Sequence, residues 1–155
     1  MAETVEQRLS NMGICIPAPA APAANYVPFM TAGKIVFVSG QIPFLDGELQ
    51  YLGKVGDTLN TEDAYKAARI CAINLIAQVK IACSGDLERV KQVVKLGGFV
   101  NCTPDFKEQP TVINGASDLI ADAFGAKGHH ARFAVGAPSL PLGAAIEVDG
   151  IFEIT

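Results

Sequence analysis

Apolar residues recur every three or four positions in two long segments of the chain, which is the spacing of amphipathic helices. From residue 61 to 84 this spacing predicts a long helix, with Asn60 as the N-cap and Gly85 at its end. A second helix is predicted to begin at Pro110, which suits a first helical position, and to end at Gly125. The stripe of the long helix consists of Ala64, Ala68, Cys71, Leu75, Val79 and Ala82.

Other segments alternate between apolar and polar residues and predict strands. Residues 29–43 are expected to form two strands joined by a tight turn at Ala32-Gly33. A turn at Asp46-Gly47 precedes a short strand that carries Leu49 and Tyr51 on one face. Residues 87–102 are expected to form one strand with a bulge or bend at Gly97-Gly98.

Two final strands are predicted on either side of Pro138–Pro141. In the last strand one face is apolar and the other carries the acids Glu147, Asp149 and Glu153. Because the bend is short, Arg132 and Glu147 are expected on neighbouring antiparallel strands. The apolar face of the last strand consists of Ile146, Val148, Phe152 and Ile154.

The order of these elements predicts a single α+β domain over residues 1–155. Two helices would lie on one face of a mixed, mostly antiparallel sheet. Before them, residues 3–12 predict a short amphipathic helix, and the proline-rich segment 14–28 favours extended chain. The second face of the sheet would be apolar enough to require a partner.

Composition supports a folded, oligomeric protein: half the residues are hydrophobic, 18% are charged and mean hydropathy is +0.30. The longest near-apolar stretch contains Asn74, Gln78 and Lys80, so no membrane span is expected. The N-terminus has no signal-peptide pattern, and the four cysteines have no C-x-x-C spacing. Free thiols in a reducing, cytoplasmic compartment are therefore expected. A net charge of −4 without a basic cluster argues against a nucleic-acid partner.

Most standard sites are missing from the sequence. No phosphate-binding glycine loop is present, and the adjacent His129 and His130 are a poor start for a metal site, so no metal is expected. Ser39 has no nucleophile-elbow motif, and nothing near Cys102 in the sequence lowers its pKa.

Arg132 and Glu147 remain as candidates for chemistry. Arg132 is the only charge in the apolar run ARFAVGAP. The two side chains could pair with each other or with Asp149, or could simply face solvent. Alternatively, Arg132 could bind a ligand carboxylate while the glutamate holds a water or accepts a proton.

Three features together resemble the RidA/YjgF family, the reactive-intermediate (2-iminobutanoate/2-iminopropanoate) deaminases. They are FVSGQIP, Asn114 in the second helix, and the frame of Arg132, Val135, Leu140-Pro141 and Ile146-Glu147. The resemblance covers roughly residues 17–154. It implies a chorismate-mutase-like fold and a homotrimer with an inner barrel of sheets and three clefts between subunits.

The resemblance also implies roles for individual residues. Arg132 would anchor the carboxylate of a small 2-imino acid, and Glu147 would position the water that attacks the imine carbon. Products would be a 2-oxo acid and ammonia, without metal or cofactor. Asn114, the S-G segment of Ser39 and Gly40, and backbone near Ala134 would complete the pocket.

Tyr26 falls at the position of the family's pocket tyrosine, although it could instead pack on the proline-rich stretch. Three departures point to a divergent subgroup: Ala134 replaces a cysteine, residues 1–16 add a helix and loop, and the GAKGHH loop is slightly longer. The alternative function is a non-catalytic carboxylate-binding or regulatory module of the same fold.

Overall fold

The computed structural model describes residues 1–19, 21–22 and 24–155, so Ala20 and Ala23 of the proline-rich segment lie outside the described residues. Three helices are formed: α1 Val5–Asn11, α2 Thr61–Ala82 and α3 Gln109–Phe124. The strands are β1 Phe29–Ala32, β2 Ile35–Gln41, β3 Phe44–Leu45, β4 Glu48–Leu49, β5 Val90–Asn101, β6 Ala131–Ala137 and β7 Ile146–Ile154. None of the helices in the described part of the chain is both long and apolar enough to cross a membrane.

The predicted α+β architecture is confirmed, with the two long helices packed on one face of a five-stranded sheet. The Oδ1 atom of Asn60 accepts from the amide of Asp63 at 2.8 Å, which caps α2 as predicted. Helix α3 begins one residue earlier than predicted, at Gln109, and Gly125 is its C-cap. The predicted stripe of α2 is buried except for Ala82, which is partly buried against the core.

The short N-terminal helix α1 is confirmed and is fixed at both ends. Thr4 and Gln7 form a capping box at its start. Val5 and Leu9 are buried, and the amide of Val5 donates to Glu88 Oε2 at 2.7 Å. The helix therefore packs onto the domain as part of its core.

The sheet has the order β1-β2-β7-β5-β6, and only the β5–β6 pair is parallel. Consequently, the prediction that Arg132 and Glu147 lie on neighbouring strands is wrong, because β5 separates β6 from β7. The connection between β6 and β7 crosses the end of β5, where the amide of Asn101 donates to Ala145 and the amide of Cys102 donates to Ala137. These bonds direct the chain over β5 instead of turning it back along β6.

Two details of the strands also differ from the predictions. Strand β4 ends at Leu49, and Tyr51 lies beyond it with a φ of 56°. The irregularities of β5 occur between Val90 and Lys95, in its pairing with β7, and not at the two glycines. Gly97 and Gly98 instead allow close packing, since a Cβ on Gly98 would lie 2.7 Å from Ile113 of α3.

The face of the sheet away from α2 and α3 carries exposed apolar side chains. Met30, Phe37 and Ile151 form one row across β1, β2 and β7. Met30 and Phe37 are 58% and 47% exposed, and Val135 of β6 is 43% exposed. Large apolar side chains exposed on a sheet face are typical of a surface covered by another protein.

Candidate functional site

The residues expected to form one site line two separate clefts of the chain. Tyr26, Gly40 and Glu147 line a cleft of about 230 Å³, which we call the glutamate cleft. Arg132 and Asn114 line another of about 360 Å³, the arginine cleft. Each cleft therefore holds only part of the predicted set.

The separation of Arg132 and Glu147 follows from the register of the sheet. Arg132 is opposite Leu96 of β5, whereas Glu147 is opposite Phe99, three positions further along the same strand. With two strand spacings of about 4.8 Å and a rise of about 3.3 Å per residue, their Cα atoms are roughly 14 Å apart. This distance is too long for an ion pair, so the alternative in which the two pair directly is excluded within one chain.

The glutamate cleft is built around a half-buried carboxylate. Burial, and then the charge of Asp149, raise the pKa of Glu147 above its ordinary value. Gly40 of β2 lies against this side chain, and a Cβ there would be 2.4 Å from Glu147 Oε1. Because Gly40 has no side chain, the carboxylate of Glu147 can lie directly against β2.

The wall of the glutamate cleft is mostly apolar and is fixed from α2. Asn74 Nδ2 donates to the carbonyls of Ile42 and Phe44 at 3.2 and 3.0 Å, which holds the segment after β2. Leu142 closes another side, in a left-handed conformation with a φ of 59°. Tyr26, half exposed, lines the same cleft, so the interpretation of Tyr26 as a pocket residue is compatible with its position. The other apolar lining residues are Ala21, Pro22, Pro28, Ile42, Phe44 and Pro141.

The arginine cleft presents a guanidinium that is attached to α3. Arg132 Nη1 donates to Ser117 Oγ and Nη2 donates to the carbonyl of Pro110, both at 3.1 Å. A guanidinium has five N–H groups, so three remain for a ligand. This arrangement suits a carboxylate, which accepts two parallel hydrogen bonds from arginine.

Two residues expected near the substrate line neither cleft. The hydroxyl of Ser39 donates to the carbonyl of Val27 at 2.8 Å and so stabilises the chain entering β1. Ala134 is packed partly against the core. Among the described residues, no group of three or more His, Cys, Asp or Glu side chains is placed to hold a metal ion.

Among the cleft residues that sequence reasoning missed are three with hydrogen-bonding side chains, Asn74, Ser117 and His130. Ser117 lies three residues after Asn114, and therefore on the same face of α3. His130 lies two residues before Arg132, and so on the same side of an extended chain. Both spacings were visible in the sequence, but the packing of α3 against β6 was not.

Comparison with known proteins identifies the relatives of this chain. It is 48% identical to Protein TCP17 of Trypanosoma cruzi over 151 residues, which cover 97% of this chain and 94% of that protein. The crystal structure of Atu1372 from Agrobacterium tumefaciens is 47% identical, with a TM-score of 0.93, and the match covers 97% of this chain and 92% of that one. The crystal structure of "a putative endoribonuclease" from Shewanella oneidensis MR-1 is 38% identical, with a TM-score of 0.95, and the match covers 98% and 100% of the two chains.

The family model that matches is described as "YjgF/chorismate_mutase-like, putative endoribonuclease", and it spans residues 6–153. This range includes both clefts, strands β1 to β6 and all of β7 except its last residue, Ile154. The chain therefore belongs to the YjgF/chorismate-mutase-like family.

Proposed function

We propose that this protein hydrolyses small 2-imino acids to 2-oxo acids and ammonia in a cleft between two copies of the chain. Arg132 of one copy would bind the substrate carboxylate, and Glu147 of a neighbouring copy would hold the attacking water. The observation that carries the proposal is the division of the site. A cation suited to a carboxylate lies in one cleft, and a half-buried carboxylate with a raised pKa lies in another.

Assembly into a homotrimer would bring the two clefts together. The apolar face that carries Met30, Phe37 and Val135 supports such an assembly, because it would be covered by neighbouring sheets. The resemblance to RidA/YjgF proteins implies this arrangement as an inner barrel.

The chemistry needs no further group. Glu147 takes a proton from water as the water oxygen bonds to the imine carbon, and passes that proton to the nitrogen to give a carbinolamine. The proton of the carbinolamine hydroxyl then moves to the nitrogen in the same way, which makes it a leaving amine. The C–N bond then breaks to give the 2-oxo acid and ammonia. A carboxylate whose pKa is raised is a better base for this step than an exposed one. Alignment of the water and the anchored imine supplies much of the acceleration.

The apolar wall of the glutamate cleft supports substrates with small apolar side chains. Ile42, Phe44 and Leu142 offer no charged partner for a polar substituent. We therefore expect 2-iminobutanoate and 2-iminopropanoate to be preferred over imines with a second carboxylate.

The test is to generate 2-iminobutanoate in situ and follow its decay with wild type, Arg132→Ala and Glu147→Gln. Each variant should lose at least tenfold in rate, because each removes a contact with a charged group. When the two variants are mixed and reassembled, about a quarter of the clefts should carry both native residues and activity should return. A wild type no faster than the spontaneous reaction would refute the deaminase, and a mixture without recovery would refute the shared cleft.

The same protein samples distinguish the proposed deaminase from two other functions. A non-catalytic carboxylate-binding module would bind 2-oxobutanoate through Arg132 and turn nothing over. RNA cleavage is suggested by the description of the family and of the Shewanella relative. The net charge of −4 and the acidic pair Glu147 and Asp149 oppose it, since RNA binding relies on concentrated positive charge. We expect no cleavage of single-stranded RNA at protein concentrations that saturate the imine assay.

A further inference from the structure

A chain of four hydrogen-bonded groups crosses the arginine cleft. Arg132 Nη1 donates to Ser117 Oγ at 3.1 Å. Ser117 Oγ and His130 Nε2 are 2.8 Å apart, and His130 Nδ1 is 2.6 Å from the carbonyl oxygen of Gly128. Of these groups only Arg132 has a role in the proposed reaction.

The direction of each of these hydrogen bonds follows from the two terminal groups, the Gly128 carbonyl and the Arg132 guanidinium. The carbonyl of Gly128 can only accept, so His130 Nδ1 must carry a hydrogen. In a neutral imidazole the other nitrogen is then an acceptor, and the Ser117 hydroxyl donates to Nε2. The lone pairs of Ser117 Oγ are left for Arg132, which can only donate.

Local structure explains why these groups meet. The turn Gly125–Gly128 packs closely on α3, since a Cβ on Gly128 would lie 2.5 Å from the carbonyl oxygen of Ile120. This close packing places the Gly128 carbonyl beside the start of β6, where His130 and Arg132 are two residues apart. Ser117 projects from α3 between them.

We propose that Ser117 and His130 are positioning residues that hold the guanidinium of Arg132 ready for a substrate carboxylate. The hydroxyl that donates to His130 becomes a stronger acceptor for Arg132, because hydrogen bonds in a chain polarise one another. Together with the Pro110 carbonyl, this acceptor fixes both terminal nitrogens of Arg132 and leaves three N–H groups for the ligand. The role in substrate binding rests on the proposed function, but the hydrogen-bonded chain does not.

The first test reads the tautomer of His130 directly. Protein labelled with ¹⁵N-histidine is studied by two-dimensional NMR above the ordinary histidine pKa of about 6.5, and the His130 signal is assigned with His130→Gln. We expect the neutral ring to carry its hydrogen on Nδ1. A ring protonated on Nε2 would overturn the proposal, whatever the protein catalyses.

The second test uses a matched pair of substitutions at residue 130. In His130→Gln the amide oxygen can occupy the place of Nε2 and accept from Ser117. In His130→Asn the shorter amide can reach the Gly128 carbonyl but leaves Ser117 without its acceptor. Binding of 2-oxobutanoate is measured by calorimetry, and imine hydrolysis provides KM and kcat, for these variants and for Ser117→Ala.

We expect His130→Asn and Ser117→Ala to raise the Kd and KM about tenfold with kcat within about twofold, and His130→Gln to remain close to wild type. Melting curves and native mass establish that all variants are folded and assembled. Equal impairment of His130→Gln and His130→Asn, or unchanged Kd in Ser117→Ala, would overturn the positioning role. A wild type that binds 2-oxobutanoate without hydrolysing the imine would refute the proposed deaminase and leave this inference standing. A wild type that does not bind it would refute the carboxylate role itself.

Discussion

Substituting Gly40 by alanine should move the carboxylate of Glu147 and little else. The backbone of Gly40 does not have a positive φ, so alanine causes no conformational strain. The added Cβ would, however, lie 2.4 Å from Oε1, 2.9 Å from Cδ and 3.0 Å from Cγ of Glu147. To restore a separation of 3.0–3.4 Å, the carboxylate oxygen must move away by about 0.6–1.0 Å.

In the proposed reaction Glu147 orients a water, and a shift of this size is large for that role. Misplacement by about 1 Å costs roughly 100-fold in rate, so kcat/KM for 2-iminobutanoate should fall by about that factor. Because only the end of a flexible side chain has to move, the free energy of unfolding should change by less than about 1 kcal/mol. The assay is imine decay at several substrate concentrations, with urea unfolding on the same samples.

The matched control is the same substitution in a Glu147→Gln background. If Gly40 acts through Glu147, Gly40→Ala should cost little further activity there, and the two substitutions should be strongly non-additive. Full activity of the single Gly40→Ala variant would refute the reasoning. Equal losses in both backgrounds would show that alanine disturbs the cleft by another route.

Two further predictions concern stability. Burial and Asp149 raise the pKa of Glu147 from 4.5, so the folded protein binds this proton more tightly than the unfolded chain, and stability is lost as pH rises through the raised value. Glu147→Gln should therefore raise the melting temperature at pH 7.5 and leave it nearly unchanged at pH 4; an equal shift at both pH values would contradict this. Asn101, 4% exposed, accepts from Lys54 at 2.9 Å and donates to the carbonyls of Gly53 and Ala144. Asn101→Ala should lower the free energy of unfolding by about 2–4 kcal/mol in urea, whereas exposed Asn11→Ala should cost under about 0.5 kcal/mol; similar losses would refute the role of burial.

The helices and the last strand could be predicted from sequence because their signals are local. The period of α2, the cap at Asn60 and the alternation from Ile146 to Ile154 each depend on residues within a few positions of one another. The order of the strands has no such signal. It depends on hydrogen bonds between the 137–145 segment and the end of β5, which join residues far apart in sequence.

The same distinction applies to the site. The resemblance identified five residues of the two clefts, namely Tyr26, Gly40, Asn114, Arg132 and Glu147, but neither motif nor spacing indicated that Arg132 and Glu147 would be roughly 14 Å apart in one chain. The partners of Arg132 were missed for a different reason. Ser117 is an ordinary helical serine and His130 an ordinary residue before a strand until α3 packs beside β6 and brings them within hydrogen-bonding distance.

The division of the site and the exposed apolar face have one physical explanation. A single chain places Arg132 and Glu147 in different clefts, so the proposed reaction would need a cleft to which two copies contribute. Exposure of Met30, Phe37 and Val135 to water is unfavourable, so burying them between copies of the chain would favour association. If association also brings the two clefts together, burial of the apolar face would stabilise both the assembly and the complete site. Residues on the apolar face would then control activity without touching the substrate.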